Sequence, residues 1–294
     1  MTDDTFYESV DFHRVKTSRL STVYRHSGRD WQDAESIVFI HGSLSSSRWW
    51  EPALASFQEL MPSKYACYAP DLRSYGDADP LPIRGMDSMS EDVLSVMDSI
   101  GIRQAHIVGW SMGGGPATQL VLDHPDRALS LTLVSSVAPS GLPVEQIPAK
   151  REVVAQAIHR GDLETLARIV RAGNFREGRF PLNGSPPANA LFYYLLQSVL
   201  QMQNYPGDEN NNEGGTMAMV NFHVAERCAA IRVPVLSLHG DHDAIIPNEY
   251  FVKIRQPWPP HLFHEVIFEG AAHTPHVEQP RRFAVALDEF FSNI

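Results

Sequence analysis

Gly109-Trp110-Ser111-Met112-Gly113 lies between the apolar run His106-Ile107-Val108 and a helix-like stretch from Pro116 to Leu122. The order strand, sharp turn, helix around Gly-x-Ser-x-Gly fits a nucleophile elbow, which lifts a serine off the end of a buried strand into a cleft. Gly109 and Gly113 flank that serine two places away, where the absence of a side chain lets strand and helix crowd together.

Outward from the elbow, short apolar runs alternate with amphipathic helical stretches. Ser36 to His41, Tyr65 to Pro70, Ala105 to Trp110, Leu129 to Val137, Val233 to Gly240 and Phe263 to Gly270 read as strands. Most are too apolar to have one face in water. The expected fold class is therefore α/β, a mostly parallel doubly wound sheet with helices on both faces. Val10 to His26 is read as an antiparallel hairpin at one edge. Helices are expected over Met89 to Ile100, Met112 to Asp123, Asn248 to Ile254 and Glu278 to Phe291, with Ser88 or Ser90 as N-cap of the first.

Between Ala138 and about Ala230 the strand rhythm stops. Val153, Val154, Ala157 and Ile158 recur at helical spacing, as do Leu166, Ile169 and Val170, then Ala188, Leu191, Leu195 and Val199. The predicted organisation is a core of residues 1–138 and 231–294 interrupted by an inserted helical cap over 139–230. Within it, Asn204 to Gly215, with Pro206-Gly207 and Asn210-Asn211-Asn212, has a loop composition.

Composition narrows the partners. The 294 residues carry a formal net charge of -11, which repels phosphate backbones and anionic lipid, and no compensating basic patch stands out. No run approaches the roughly 18 apolar residues a membrane helix needs. The acidic start Met1-Thr2-Asp3-Asp4 is followed by no apolar signal region, so a soluble cytoplasmic protein is expected, without nucleic-acid or membrane partners; a homodimer is left open. Cys67 and Cys228 have neither disulfide-framework nor metal-ligand spacing and are expected to stay reduced and structural.

A serine hydroxyl needs a base, and the base needs an acid to fix its tautomer. His273, in the small-residue loop Gly270-Ala271-Ala272-His273-Thr274-Pro275 after the last strand, is the candidate base. The loop Gly240-Asp241-His242-Asp243-Ala244-Ile245-Ile246-Pro247 offers two carboxylates. Asp243 is preferred, because Ile245-Ile246 anchors the loop beside it, while Asp241 is left to cap the turn. The backbone N–H groups of Met112 and Ser43 are the expected oxyanion donors.

His41-Gly42-Ser43, Pro70-Asp71-Leu72-Arg73, Gly109-Trp110-Ser111-Met112-Gly113-Gly114, Gly240-Asp241-His242-Asp243 and Ala272-His273 together resemble the α/β-hydrolases of the esterase, lactonase and cofactor-free perhydrolase group, over nearly the whole length. The resemblance implies Ser111 as nucleophile, His273 as base, Asp243 as orienting acid, Ser43 and Met112 as the oxyanion hole, and no cofactor. One departure is Ser74-Tyr75-Gly76, where many relatives have glycine after the arginine.

Substrate clues are fewer. Phe192, Tyr193, Tyr194, Met202, Tyr205, Met217, Met219 and Phe222 enrich the cap in aromatic rings and sulfur. Trp110, Tyr193, Tyr194, Met202 and Met217 are the expected pocket lining for a fairly hydrophobic ester or lactone. Arg48 and Arg73 are read as solvated surface charge rather than substrate anchors. Carbon-carbon bond hydrolysis of a diketone-type ring-fission product, a receptor or pseudoenzyme, and a metallohydrolase using His239, Asp241, His242, Asp243, His273 and His276 are the competing readings. Haloalkane dehalogenation and epoxide opening are disfavoured, since the resemblance implies an aspartate at position 111 for those reactions.

Overall fold

The computed structural model describes residues 5–142, 151–176, 186–201, 214–246 and 248–294. Among the described residues, eight strands form one sheet in the order β1-β2-β4-β3-β5-β6-β7-β8. They are β1 (Asp11–Lys16), β2 (Ser21–Gly28), β3 (Glu35–Ile40), β4 (Tyr65–Pro70), β5 (Ala105–Trp110), β6 (Ala128–Val134), β7 (Val235–Gly240) and β8 (Phe263–Phe268). β1 and β2 pair antiparallel, β2 joins β4 antiparallel, and every other pairing is parallel. The hairpin expected over Val10 to His26 is thus the sheet edge.

Two apolar layers sandwich the sheet, as an α/β composition demands. On one side Val108 and Trp110 of β5 meet α1 (Glu51–Leu60) through Leu54 and Phe57, and α11 (Pro280–Ser292) through Phe283 and Leu287. On the other, Ile107 meets α2 (Met86–Ile100) at Met89 and Met97, α3 (Gly114–Asp123) at Leu120, and α9 (Asn248–Arg255) at Ile254. Alternation along β5 divides its side chains between these layers, which is why its sequence reads as a continuous apolar run.

Some boundaries depart from expectation for local reasons. α2 starts at Met86 rather than Met89, and its cap is Gly85, whose carbonyl accepts the Ser88 hydroxyl at 2.8 Å. The single terminal helix expected from Glu278 is two helices, α10 (Pro275–Glu278) and α11, because Pro280 cannot continue the preceding turn and instead begins a new one. β6 ends at Val134, before Ser135 takes φ 42°. α1 had no clear signal, since two aromatic residues, Trp49 and Trp50, and a proline, Pro52, obscure its 3.6-residue period. Ser74, the residue after Arg73, adopts φ 65°, held by its N–H to the Asp79 carbonyl at 3.0 Å and its hydroxyl to the Leu81 carbonyl at 2.6 Å.

Between β6 and β7 the described backbone is helical: α4 (Arg151–Arg160), α5 (Leu163–Asn174), α6 (Pro186–Leu200), α7 (Gly215–Val220) and α8 (Ala225–Cys228). The loop expected from Asn204 falls mostly outside the described residues. No described helix is long and apolar enough to cross a membrane. Cys67 and Cys228 are buried free thiols.

Several histidines are folded in as neutral rings. Burial pushes His106 and His239 down to about 4, His41 down, and His276 well below its ordinary range. The unfolded chain takes up protons on these rings near pH 6.5, which the folded chain refuses until lower pH. Their contribution to stability is therefore complete above about pH 6.5 and shrinks as pH falls toward about 4. The thermal midpoint is expected to drop steadily between about pH 7 and about pH 5. A midpoint level across that interval would contradict the assignment.

Candidate active site

The carboxyl ends of parallel strands gather loops along one crevice. β5, β6, β7 and β8 are neighbours in that order, so loops after β5, β7 and β8 bring Ser111, Asp243 and His273 to the same edge.

Ser111 holds φ 53°, a left-handed conformation costly for a residue with a side chain. Its surroundings enforce that turn. A Cβ on Gly109 would meet the Gly113 carbonyl oxygen at 2.4 Å and Ala117 Cβ at 2.7 Å; one on Gly113 would meet the Ile40 carbonyl oxygen at 2.4 Å. Strand β5, the elbow and β3 are thus packed backbone to backbone.

The loop after β3 lies directly against the elbow. A Cβ on Gly42 would stand 2.9 Å from Ser111 Cβ, so Ser43 follows at the rim of the Ser111 turn. His41 fixes that loop. Its Nε2 accepts the Leu72 N–H at 3.0 Å, which leaves Nδ1–H to donate to the Gly42 carbonyl at 2.8 Å. Met112, next after Ser111, is fully buried and its sulfur accepts the Tyr75 hydroxyl at 3.3 Å.

His273 and Asp243 form a buried pair, with Nδ1 donating to Asp243 Oδ2 at 2.9 Å and both side chains at or below 2% exposure. Asp243 Oδ1 also accepts the N–H groups of Ile245 and Ile246, each at 2.9 Å. Burial by itself raises the carboxyl, but attraction to the His273 ring and these hydrogen bonds outweigh it and hold Asp243 below its ordinary value. Asp243 thus stays an anion and engages Nδ1 of His273, so Nε2 is the ring nitrogen not committed to the carboxylate. Asp241 does something different, accepting the Gly270 N–H on Oδ1 at 2.7 Å and so tying the β7 loop to the end of β8.

No hydrogen bond joins the Ser111 hydroxyl to His273 among the described residues; Trp110 connects them. Its indole N–H donates to the His273 carbonyl at 2.8 Å, and its ring lies 5.6 Å from that of His273 and 4.8 Å from that of His276. Glu278 holds the loop from the other side, accepting the Ala272 N–H at 2.9 Å and the Thr274 hydroxyl at 3.3 Å. Burial raises the Glu278 carboxyl, with those hydrogen bonds opposing. The same Thr274 hydroxyl hydrogen is shared with the Asn174 carbonyl at 2.9 Å, the shorter of the two contacts, linking the loop to the end of α5. Neither the Trp110 nor the Glu278 tie was legible in the sequence, since no periodic pattern reports a bond from a side chain to a distant or irregular stretch of backbone.

The residues expected to line a pocket take varied places. Trp110 is 1% exposed and packed on Trp49 at 5.3 Å. Tyr193 is 51% exposed, in a surface cleft with Arg168 and Arg171. Tyr194 turns its hydroxyl to the buried Arg25–Glu51 pair. Met217 is half-buried on α7, whose first residue, Gly215, packs against Tyr75 and Met112; Met202 lies outside the described residues. The two arginines read as solvated are buried: Arg73 is paired with Asp92 through Nε at 2.5 Å and its terminal nitrogen at 2.7 Å, and Arg48 lies over the Tyr194 ring at 4.5 Å. The metal cluster considered around His239 does not converge among the described residues. His239 stacks on Phe251 at 3.4 Å, His242 is exposed, and His276 is buried against Trp50 at 4.2 Å.

A family model described as alpha/beta hydrolase fold matches residues 35–280. The chain is 26% identical to an uncharacterized carboxylesterase of Bacillus subtilis, over 98% of this chain and 91% of that protein. It is 26% identical to a 2-hydroxymuconate semialdehyde hydrolase of Pseudomonas putida, covering 93% and 92% of the two chains. It is likewise 26% identical to 3-oxoadipate enol-lactonase 1 of Acinetobacter baylyi, covering 90% and 91%.

Proposed function

The chain belongs to the alpha/beta hydrolase fold family, and from that premise we propose that it is a serine hydrolase cleaving a carboxylic ester or lactone of a fairly hydrophobic small molecule. The observation that carries the reading is the buried His273–Asp243 pair at the same sheet edge as a serine forced to positive φ, with Trp110, the residue before that serine, bonded to the His273 carbonyl.

In the proposed cycle the Ser111 oxygen attacks the carbonyl carbon as its proton passes to His273 Nε2. The carbonyl oxygen becomes an oxyanion facing the backbone N–H groups of Ser43 and Met112. The tetrahedral intermediate collapses, the C–O bond to the leaving alkoxide breaks, and His273 returns the proton to it. For a lactone the leaving hydroxyl stays on the acyl chain. Water, deprotonated by the same ring, then releases the acid and restores Ser111. Asp243 remains ionised throughout and holds the imidazole in one tautomer. The described helices between β6 and β7 would serve as the cap over this crevice, with Met217 of α7 proposed for its lining because Gly215 of the same helix packs against Met112.

Trp110 serves here as a positioning residue. Trp110→Phe keeps an aromatic ring but deletes the donor to the His273 carbonyl, and is expected to lower kcat by about 10- to 100-fold, in line with small misplacements of a catalytic group, with KM little changed. Wild-type kcat in that variant would sink the positioning role.

A second reading, carbon-carbon bond hydrolysis, draws on the similarity to the 2-hydroxymuconate semialdehyde hydrolase. A panel of p-nitrophenyl esters and lactones of graded size, run beside a ring-fission dienol diketone, separates the two. Turnover of esters or lactones with none of the diketone supports the first reading; the reverse pattern transfers the assignment to the second.

A further inference from the structure

We propose that the face of the β1–β2 hairpin bearing Asp11, His13 and His26 is a binding site for a divalent transition-metal ion, with zinc the best chemical match. The register pairs Asp11 with His26 and His13 with Tyr24. Side chains alternate along each strand, so these four residues share one face. One ligand atom from each of Asp11, His13 and His26 lies within 4.8 Å of the others.

The chemistry of each group suits a metal. His26 Nε2 is 3.0 Å from the Arg29 carbonyl, which only accepts, so Nε2 carries the hydrogen and Nδ1 keeps a lone pair. A backbone carbonyl fixing the tautomer in this way is the usual outer-shell partner of a metal-bound histidine. His26 is 8% exposed and braced by Tyr68, with ring centroids 4.7 Å apart. His13 is exposed and stacks on Tyr24 at 4.9 Å. Tetrahedral zinc at about 2.0–2.2 Å from each ligand wants ligand atoms roughly 3.3 Å apart, a small closure for one exposed imidazole and one exposed carboxylate.

Two of the three residues, His13 and His26, line a 340 Å³ cleft that also contains Asp30, Trp31 and Arg14. The strands carry the arginines Arg14 and Arg25 on alternate positions, stacked on Phe12 at 5.3 Å each. Two imidazoles and one carboxylate select zinc, nickel or copper over calcium and magnesium. Bound there, the ion joins the edge strand β1 to β2, and β2 is itself three places from β5 and the serine in the sheet order.

The test uses the full chain without a polyhistidine tag, stripped of metal by chelator and dialysed. Zn²⁺ is titrated calorimetrically, and Co²⁺ is followed by its visible absorption. One saturable equivalent is expected, with a Zn²⁺-dependent rise in thermal midpoint. His13→Ala and Asp11→Asn should each weaken binding at least about tenfold and abolish the midpoint rise, since each removes a ligand. His261→Ala, at a histidine elsewhere on the surface, should leave both unchanged, and ester hydrolysis by metal-free His13→Ala should match the metal-free wild type. Absence of a saturable equivalent, equal binding by His13→Ala and Asp11→Asn and the wild type, or loss of binding in His261→Ala overturns the proposal.

Discussion

Ser111→Ala is expected to reduce ester turnover by about 10⁴-fold or more while leaving the thermal midpoint near wild type. The side chain contributes nothing to the core that alanine lacks, because its hydroxyl has no hydrogen-bond partner among the described residues. On the proposed mechanism, what is lost is the atom that forms the acyl bond. His273→Ala is expected to fall by a similar factor. The double variant should be little worse than either single one, because nucleophile and base act as one unit. Asp243→Asn tests the third member differently. Its amide donates as well as accepts, so the imidazole tautomer set by Asp243 Oδ2 is no longer enforced, and kcat is expected to fall by about 10⁴-fold. Steady-state rates on a p-nitrophenyl ester decide all three. Retention of wild-type turnover by Ser111→Ala would place the chemistry elsewhere.

The second large effect is on stability, at Glu51. Arg25 and Glu51 are both fully buried, joined through Nε and Oε1 at 2.6 Å. Arg25 also donates to Ser47 at 2.5 Å and to the Tyr194 hydroxyl at 3.1 Å. Glu51 Oε2 accepts the Phe6 N–H at 2.7 Å and the Tyr7 N–H at 3.3 Å, and Tyr194 donates to Oε1. The pair therefore joins the N-terminal segment, β2, α1 and α6. Glu51→Ala leaves a guanidinium in the core without its carboxylate, which costs about 3–5 kcal/mol of folding free energy. Glu51→Gln, which keeps an acceptor, should cost less. Urea unfolding midpoints measure both, and a loss in Glu51→Ala below about 1 kcal/mol would show that Arg25 is satisfied without its partner.

Most of the frame was legible from local pattern. Strands β3 to β7 are buried on both faces or nearly so, and their largely unbroken apolar runs announce a parallel sheet. The elbow was legible because steric demand at Ser111 falls on the two nearest small residues, Gly109 and Gly113. Long-range ties were not. The Trp110 indole reaches a carbonyl 163 residues away, and Arg25 meets Tyr194 across 169 residues, so no sequence period reports them. The same blindness placed Tyr194 in a pocket lining and Arg73 on the surface, where tertiary partners instead hold both in buried ion-pair networks. Cross-strand register, equally silent in sequence, is what unites Asp11, His13 and His26.

Active-site labelling tests the central claim most directly. A fluorophosphonate reacts with a serine only when a base draws off its proton, so the protein is incubated with the probe, weighed intact and mapped by peptide mass spectrometry. One adduct, located on Ser111 and formed at least about 100-fold more slowly in His273→Ala, is the expected result. An unlabelled Ser111, or labelling at the same rate without the His273 imidazole, would contradict it.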